Sequence, residues 1–596
     1  LHDTDFFEGV GFYHTVLGAV YAENGEPDKS QTNFALGRKA FEKIGKDYGL
    51  MVNQALQVKS RFIRSGKPVA DEDLITFRSF LDKAAAFGAQ DIVWRMGYEI
   101  GQKLIRDNRP ADARIFLEIA IEAIEKTRSK LREDTIKKIF AGSVQDVYGE
   151  MIGLLYDMGR HEEGFNYLER AKARAFLDML AGRSLKAKPT VDPGLVEKGK
   201  AIQDEIDVLA RQLQTAKGED RKSISNRYES KLKEMSRTFE RIKDQSLSYA
   251  ATTSVATMSA SDIASGLDKN TGLVSYFLNG ERLLIWVIRN GKVQATAVPA
   301  KSDEIDTLVT EYRIAIDTEE EADVEEIGQA LARLLIEPIS GSIKGADKLY
   351  LVPTGQLHYL PFICLPSAPG RFLIQDSMVS VLPNASSLFY FEGQVTKTQN
   401  SIFAIGNPFR DDDQPSLAFA EKEADVVSQA FQDKKILTGE TAKETAVKAG
   451  NLKGTAIIHI AAHGIYDPEQ PLKSSLLLTR DQANDGDLET LEIFSLDLNP
   501  KLVVLSACQS GVGEIRRGDE VQSLNRAFLY AGAGGVVASL WSVSDQSTYE
   551  LMDYFYSALK TQTPGEALRS AQIDLMKTYP SPFHWAAFYL TGGIVK

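Results

Sequence analysis

Two short apolar stretches in the last third of the chain decide the fold: Ala456-Ile457-Ile458-His459-Ile460-Ala461-Ala462-His463-Gly464 and Leu502-Val503-Val504-Leu505-Ser506-Ala507-Cys508-Gln509-Ser510-Gly511. Each is an apolar run that ends in a polar residue and a glycine, as is typical of a buried parallel strand that runs into a loop. Ligands of open parallel sheets bind beyond the carboxyl ends of the strands. If the two strands are neighbours, His463 and Cys508 meet at that edge, and a thiol beside an imidazole is a candidate nucleophile with its base.

The composition indicates a folded protein of several domains. The 596 residues suffice for about three or four domains, and an apolar fraction of 43% is ordinary. A net charge of −13 argues against nucleic acid as the main partner, because phosphate binding needs a basic footprint. With only Cys364 and Cys508, we expect no disulfide framework, no metal site and no cofactor. A reducing, cytoplasmic location fits best.

No apolar segment of the sequence predicts a clean membrane span. The closest candidate, Ala527 to Trp541, is too short for a span and has Arg526 at its edge. The first residue is Leu1 rather than Met, so we interpret the N-terminus as trimmed or processed. Removal of a signal peptide stays open.

The first part of the chain predicts helix after helix. Apolar residues recur at spacings of three and four, and short turns such as Asn108-Arg109-Pro110 separate the runs. A small-residue pattern, as in Met96-Gly97 followed by Ile100, resembles the first helix of tetratricopeptide repeats. The copies are irregularly spaced, so the repeats would be degenerate. We favour a solenoid that binds a peptide or protein over a generic helical bundle.

After a basic linker, two amphipathic segments predict a helical hairpin. Their apolar positions follow a heptad-like pattern, and Lys217-Gly218-Glu219 breaks the helix between them. We interpret the pair as a solvated antiparallel arm. From Gly272 onward the pattern becomes β-rich, and helices then alternate with strands to the end of the chain, which indicates a mostly parallel sheet covered on both faces. We expect a helix over 520–530, and we expect His459 and His463 to point to the same side of one strand.

The candidate site has the parts that peptide-bond cleavage needs. Cys508 can be the nucleophile, and His463 can carry the proton to the leaving amine. The backbone N–H groups of Gly464 and Cys508 are candidate donors to the developing oxyanion. The interval from His463 to Cys508 is close to the interval of about 50 residues in caspases.

This region resembles a CHAT domain, the caspase-like peptidase module often found after tetratricopeptide repeats and related to caspases, separases and gingipains. The matching motifs are Ala461 to Gly464, Leu505 to Gly511, Ala538 to Asp545, Trp585 to Phe588 and, in the β-rich half, Val352 to Phe362. The resemblance implies an all-α TPR-like solenoid plus helical hairpin, followed by an α/β caspase-like domain with a mostly parallel sheet. It divides the chain into repeats at 1–185, the linker and hairpin at 186–255, the β-rich half of the CHAT region at 256–400 and the catalytic half at 401–596.

The resemblance also suggests where the P1 side chain of a substrate would bind. The strand after the nucleophile helix lines that pocket in these families, so the segment with Ser539 and Trp541 would form its wall. Asp545 is the best candidate for an acid that selects Arg or Lys, with Asp519 and Glu520 as alternatives. Asp545 could instead cap the following helix.

The sequence therefore predicts a cysteine endopeptidase that acts on a protein substrate, with the repeats recruiting that substrate or an activating partner. A role in bacterial defence or programmed cell death is implied by the resemblance alone. The alternatives are a catalytically silent scaffold and an acyl transfer on a small substrate. Cys508 could also be an inert buried cysteine. We interpret His459 as a buried core histidine that could support the site, and Cys364 as a small buried hydrophobe.

Overall fold

A computed structural model describes the chain in two compact units, Leu1–Leu168 and Glu169–Lys596. The described residues are 2–63, 68–128, 134–181, 257–394, 400–410, 417–448, 452, 454–467, 470–507, 513–516, 520–542 and 544–593, with scattered helical positions between 198 and 238.

The first unit is helical, as predicted. Its helices are α1 (His2–Glu23), α2 (Pro27–Ile44), α3 (Asp47–Val58), α4 (Asp71–Phe87), α5 (Gln90–Arg106), α6 (Pro110–Arg128), α7 (Asp134–Asp157) and the start of α8 (His161–Ala181). The small-residue pattern has a packing reason, because a Cβ at Gly97 would come within 3.0 Å of the backbone oxygen of Phe116 on the neighbouring helix. Close helix pairs with short turns fit TPR-like repeats.

Between 198 and 238 the described positions are all helical. Two ion pairs join the earlier to the later positions: Lys198 with Glu234 at 3.3 Å, and Lys231 with Glu205 at 3.0 Å. The later of the two residues in the first segment, Glu205, pairs with the earlier residue of the second segment, Lys231. This order is typical of antiparallel neighbours. The predicted break at Lys217-Gly218-Glu219 and the linker lie outside the described residues.

The second unit is built on one sheet of 11 strands in the order β3-β2-β1-β4-β7-β18-β17-β14-β10-β8-β9. These strands are β1 (Thr271–Asn279), β2 (Arg282–Arg289), β3 (Lys292–Pro299), β4 (Lys348–Val352), β7 (Met378–Val381), β8 (Ser401–Pro408), β9 (Asp433–Gly439), β10 (Ile457–Ala461), β14 (Leu502–Ser506), β17 (Gly535–Ser539) and β18 (Phe588–Gly592). Most neighbours are parallel, which confirms the predicted α/β class.

Apart from β2 and β3, which pair antiparallel at one edge, the sheet consists of two parallel halves that run in opposite directions. The strands from β1 to β18 are parallel to one another, as are those from β17 to β9. The halves meet where β17 pairs antiparallel with β18. The carboxyl ends of β10 and β14 therefore point in the opposite direction from the carboxyl ends of β1 and β4.

Helices cover the sheet, and three small sheets lie outside it. The helices are α9 (Ala260–Gly266), α10 (Ser302–Asp317), α11 (Glu321–Leu335), α12 (Ser340–Ile343), α13 (Leu373–Asp376), α14 (Ser387–Gln394), α15 (Ala418–Ser428), α16 (Glu444–Lys448), α17 (Thr490–Phe494), α18 (Leu524–Tyr530), α19 (Asp545–Ala558), α20 (Pro564–Leu575) and α21 (Pro582–Trp585). The small sheets pair β5 (Pro366–Ala368) with β6 (Arg371–Phe372), β11 (His463–Ile465) and β13 (Asp487–Glu489) with β12 (Ser475–Leu477), and β15 (Gly513–Arg516) with β16 (Glu520–Ser523). In the part of the chain that the structure describes, no helix is both long and apolar enough for a bilayer crossing.

The helix predicted over 520–530 is wrong at its start. Residues Glu520–Ser523 form β16, and the helix begins only at Leu524. The cause is the alternation of polar and apolar residues in Glu520-Val521-Gln522, which has the period of a strand.

Two charged side chains of α8 are buried against the α/β half within the second unit. The Glu169 carboxylate accepts hydrogen bonds from the backbone N–H of Ala385 at 3.0 Å and of Ser386 at 2.9 Å, and from the Ser386 hydroxyl at 2.9 Å. Lys172 Nζ donates to the carbonyl oxygens of Tyr276 at 2.9 Å and Pro353 at 2.5 Å. These bonds satisfy groups whose burial would otherwise be costly.

We expect Glu169→Gln to destabilise the second unit by about 1–2 kcal/mol, because one carboxylate oxygen that accepts hydrogen bonds is replaced by an amide NH2 donor that faces N–H groups. Burial raises the pKa of Glu169 above its ordinary value. The carboxyl group therefore contributes most to the stability of the folded unit below the ordinary pKa of glutamate. This contribution declines as the pH rises through the raised pKa. The difference in free energy of unfolding between wild type and variant, measured with urea, should therefore become smaller from pH 5 to pH 8. Glu162→Gln, at an exposed position of the same helix, is the control; equal effects would contradict the assignment.

Candidate active site

The strand pairing beneath His463 and Cys508 is the one that the sequence predicts. β10 and β14 are parallel neighbours, and Ala461, the last residue of β10, lies opposite Ser506, the last residue of β14. The chain then continues into Ala462 and Ala507, both buried. Two residues beyond the end of β10, His463 is partly exposed. Cys508 itself lies outside the described residues.

His463 leaves the main sheet, so the prediction that it shares a strand with His459 is wrong. It begins β11, which pairs antiparallel with β12, with His463 opposite Leu477 and Gly464 opposite Leu476. Ala461 is the last residue of β10 that pairs with β14 in the main sheet, and His463 and Gly464 come shortly after it. Pairing with β12 gives their backbone groups partners instead.

Ser539, at the end of β17, anchors the peptide group that precedes Cys508. Its side chain is 1% exposed, and its hydroxyl donates a hydrogen bond to the carbonyl oxygen of Ala507 at 2.7 Å. That carbonyl belongs to the same planar peptide unit as the N–H of Cys508. The hydroxyl therefore restrains the orientation of this peptide unit.

The segment after β17 is fixed from two sides. The Trp541 indole N–H donates to the carbonyl oxygen of Phe583 at 3.0 Å, and its ring is buried. Arg313 of α10 donates from Nη2 to the carbonyl oxygen of Leu540 at 2.9 Å, and burial lowers the pKa of this guanidinium. The polar atoms of Ser539 and Trp541 are thus bonded to backbone, and any contact of theirs with a substrate would be mainly steric.

We expect Ser539→Ala to lower the rate of any reaction at Cys508 by about fivefold, equivalent to the roughly 1 kcal/mol of one hydrogen bond. The matched control is Ser542→Ala, because Ser542 is exposed three residues further on. The rate of thiol alkylation by iodoacetamide measures the effect. Unchanged alkylation in Ser539→Ala would show that the hydroxyl does not control this peptide unit.

Of the three candidate acids, only Asp545 has a described environment. It is the first residue of α19, and Ser544 occupies the capping position before it, so capping by Asp545 is not observed. Although the residue is exposed, partial burial of the carboxyl and the charge of Glu423 raise its pKa, and His463 opposes this rise. Asp519 and the side chain of Glu520 lie outside the described residues.

A buried polar cluster lies behind the candidate site. His459 is 0% exposed and Glu423 of α15 is 3% exposed. His459 Nδ1 lies 3.0 Å from the Tyr556 hydroxyl of α19, and its Nε2 lies 3.1 Å from Glu423 Oε1. The Nε2 and Oε1 atoms are close but not aligned for a hydrogen bond.

The remaining reactive side chains have structural environments. The Cys364 thiol is fully buried, which raises its pKa to about 12, and the Tyr312 hydroxyl lies 3.4 Å from its sulfur. His584 lies between Ser547 at 3.3 Å and Glu319 at 3.6 Å. Within the described ranges, no group of three or more His, Cys, Asp or Glu side chains could hold a metal ion.

Sequence reasoning missed Glu423, Tyr556 and Arg313. For Glu423 a signal existed, because it precedes Val427 by four positions and so lies on the apolar face of its helix. A carboxylate on an apolar face needs a buried partner. Tyr556 and Arg313 carry no such signal, since a tyrosine or an arginine on an amphipathic helix is ordinary.

Comparison with known proteins agrees with the resemblance in the motifs. Residues 325–593 match the family described as CHAT domain. Tetratricopeptide repeat protein 28 of Mus musculus and that of Homo sapiens are each 27% identical over 332 residues, which covers 45% of this chain. The chain spans only 13% of the length of these curated relatives.

Similarity to solved structures is weak. The separase–securin complex of Saccharomyces cerevisiae has a TM-score of 0.41 and 10% identity, and covers 100% of this chain and 54% of that chain. The Arg-specific cysteine proteinase gingipain R has a TM-score of 0.32 and 10% identity, and covers 44% of this chain and 68% of that chain. Likenesses at this level carry no functional argument. The chain therefore contains a CHAT domain at residues 325–593, and the helical region before it fits TPR-like repeats.

Proposed function

We propose that this protein is a cysteine endopeptidase that cleaves a protein substrate, with Cys508 as nucleophile and His463 as general acid and base. The observation that supports this most is the parallel pairing of β10 with β14, because the two strands that lead to these residues end opposite each other. Ends of neighbouring parallel strands are where α/β proteins bind their ligands.

The proposed reaction has two steps. The Cys508 sulfur attacks the carbonyl carbon of the scissile bond and forms a C–S bond, while His463 receives the thiol proton and gives it to the leaving amine as the C–N bond breaks. Water then cleaves the thioester and regenerates the thiol. The N–H groups of Gly464 and Cys508 would bind the oxyanion, and Ser539 restrains the peptide unit that carries the second of these.

Substrate selection is proposed at two places. Asp545 is the first candidate acid for a basic P1 side chain, and Asp519 and Glu520 are the alternatives. In the helical unit, Ile75 of α4 is 73% exposed and Ile115 of α6 is 43% exposed, and both line one groove. Exposed apolar side chains in a repeat groove suit a protein partner, either the substrate or an activator. A reducing, cytoplasmic setting and a role in bacterial defence belong to this proposal only through the low cysteine count and the family resemblance.

Mapping of new protein N-termini tests the proposed function. A bacterial proteome would be incubated with wild type and with Cys508→Ala, and the N-termini would be compared. New N-termini that appear only with wild type support an endopeptidase, and basic residues before them support an acidic P1 pocket. If wild type yields none and is also inert to peptidyl acyloxymethyl ketones, the protein is a scaffold and the proposal is wrong.

A further inference from the structure

β11 is the outer strand of the small sheet that begins at His463. The order of this sheet is β11-β12-β13, so β12 covers one edge of β11. Among the described residues, no strand pairs with the other edge at Gly464 or Ile465. An edge strand presents backbone N–H and C=O groups that can pair with another chain. The part of β11 that follows His463 can therefore receive an added strand.

This edge lacks the features that usually keep other chains away. Exposed edges are commonly protected by charged side chains, proline or a bulge. The sequence His463-Gly464-Ile465 contains no proline, lysine, arginine or acid, and its register with β12 has no irregularity. Its last residue, Ile465, is 44% exposed. An unprotected edge that ends in an exposed apolar side chain suits the binding of an extended peptide.

Ile465 lies on the same face of β11 as His463. Side chains two positions apart in a strand project from the same face. Two residues of an antiparallel strand advance about 7 Å, at about 3.4 Å per residue. A peptide with its reacting bond at His463 therefore reaches Ile465 within about two residues.

The strand is held in a fixed position by its surroundings. Gly464 lies opposite Leu476, and His463 lies opposite Leu477; both leucines are buried, at 0% and 2% exposure. Beyond the end of β11, the backbone N–H of Asp467 donates to the Ser474 hydroxyl at 3.1 Å. A rigid strand is a suitable template for a substrate, because little order has to be gained on binding.

The proposed reaction decides which part of the substrate lies at this edge. His463 gives its proton to the leaving amine, and that amine is the first atom of the segment that follows the scissile bond. β11 begins at His463 itself. The segment after the scissile bond therefore begins beside the strand that can pair with it.

We propose that the substrate segment that follows the scissile bond binds as an added strand along β11 and packs an apolar side chain on Ile465. This inference rests on the proposed function, and it gives Ile465 a part in substrate selection that is separate from the candidate P1 pocket. In this kind of recognition, backbone pairing supplies affinity and contacts with alternate side chains supply specificity. Ile465 touches no reacting atom, so it determines specificity and is not a catalytic residue.

Two substrates that differ only after the scissile bond test the inference. One is an internally quenched peptide that continues for several residues past a cleavage site found by N-terminus mapping. The other is a peptidyl aminomethylcoumarin with the same residues before the bond. Ile465→Ala should lower kcat/KM for the quenched peptide by about 5–10-fold, because an apolar contact is lost. It should leave kcat/KM for the coumarin substrate within about twofold, because that substrate has no residues after the bond.

The matched control for this variant is Ile314→Ala. It removes the same atoms from a side chain on α10 that is 57% exposed, and it should leave both substrates unchanged. Circular dichroism establishes that both variants are folded. An equal loss on the two substrates in Ile465→Ala, or no loss on either, would overturn the inference.

A charge at position 465 should change the preference for one substrate position. Wild type should prefer an apolar residue at one position after the bond, and Ile465→Lys should prefer Asp or Glu there. A peptide library that is varied at the positions after the bond measures both profiles. General damage to the fold creates no new preference, so a gained preference for acids supports the contact. Identical profiles for wild type and Ile465→Lys would contradict it.

The backbone of the substrate tests the added strand itself. Quenched peptides are made in which one amide after the bond is replaced by an ester, which removes one N–H donor. Cleavage should slow by about fivefold at alternate positions, because an edge strand pairs through every second residue. Unchanged cleavage of all these peptides would show that no strand is added to β11.

The coumarin substrate and a peptidyl acyloxymethyl ketone separate this inference from the proposed function. Neither probe contains residues after the bond, so both report on Cys508 and His463 without β11. If wild type reacts with neither probe, the proposed function is wrong. If wild type reacts with both and its cleavage of the quenched peptide does not depend on Ile465, only the inference about β11 is wrong.

Discussion

Replacing Cys508 by alanine is expected to abolish cleavage of the protein substrate, with a loss of at least about 10³-fold in kcat, while the fold is retained. The sulfur is the atom that forms the covalent intermediate in the proposed reaction, and alanine has no group that could replace it. In comparable nucleophile deletions, what remains comes from oxyanion binding and substrate positioning alone. Circular dichroism and binding of the uncleaved substrate measure the fold, and gel assays measure cleavage.

The other cysteine supplies the control for this prediction. Cys364 is fully buried beside Tyr312, so Cys364→Ala should retain cleavage even if it lowers stability by about 1 kcal/mol through the small cavity. Full activity in Cys508→Ala would refute the assignment of the nucleophile. Equal losses in both variants would indicate a general loss of structure rather than of a reactive group.

The largest effect on stability is expected for Glu423→Leu, at about 2–3 kcal/mol. This change removes the partner of a histidine that is completely buried, and the His459 ring then keeps a polar nitrogen with no replacement for the lost contact. The free energy of unfolding of the second unit, measured in urea, checks the value. A matched variant is Glu421→Leu, because Glu421 lies two residues earlier on the same helix and is exposed.

A similar stability for Glu423→Leu and Glu421→Leu would contradict the importance of the buried cluster. It would show that His459 finds water or another partner when the carboxylate is removed. A gain in stability would show that burying the Glu423 charge costs more than the contact with His459 returns, as happens for some buried ion pairs.

The strands of the sheet could be predicted because their residues repeat with the period of a buried strand. The apolar runs that end at Ala461 and Ser506 identified two neighbouring parallel strands, and the structure pairs them in register. The hairpin between β1 and β2 was also readable, and Gly280 in its turn has a φ of 65°, which glycine adopts at little cost. The fold class could be predicted from such local patterns because each of them indicates a strand or a turn without information from distant residues.

The parts that the sequence did not reveal depend on contacts between distant segments. The residues of β17 and β18 do not indicate that these strands pair antiparallel, because both strands are short and buried on two faces. The change of strand direction within the sheet was therefore not predicted. His463 pairs with Leu477 of β12, and the residues around His463 do not indicate that partner. The environment of Asp545 likewise depends on Glu423, more than a hundred positions earlier, so the sequence alone could not decide between a helix cap and a P1 pocket.

Labelling of the wild-type protein with a peptidyl acyloxymethyl ketone, followed by peptide mass spectrometry, tests the central claim most directly. The account predicts one adduct, on Cys508, that forms in wild type and is lost in His463→Gln, with Cys364 unmodified in both. An adduct that forms equally fast without the imidazole, or no adduct on Cys508 at all, would contradict the pairing of thiol and imidazole at the ends of β10 and β14.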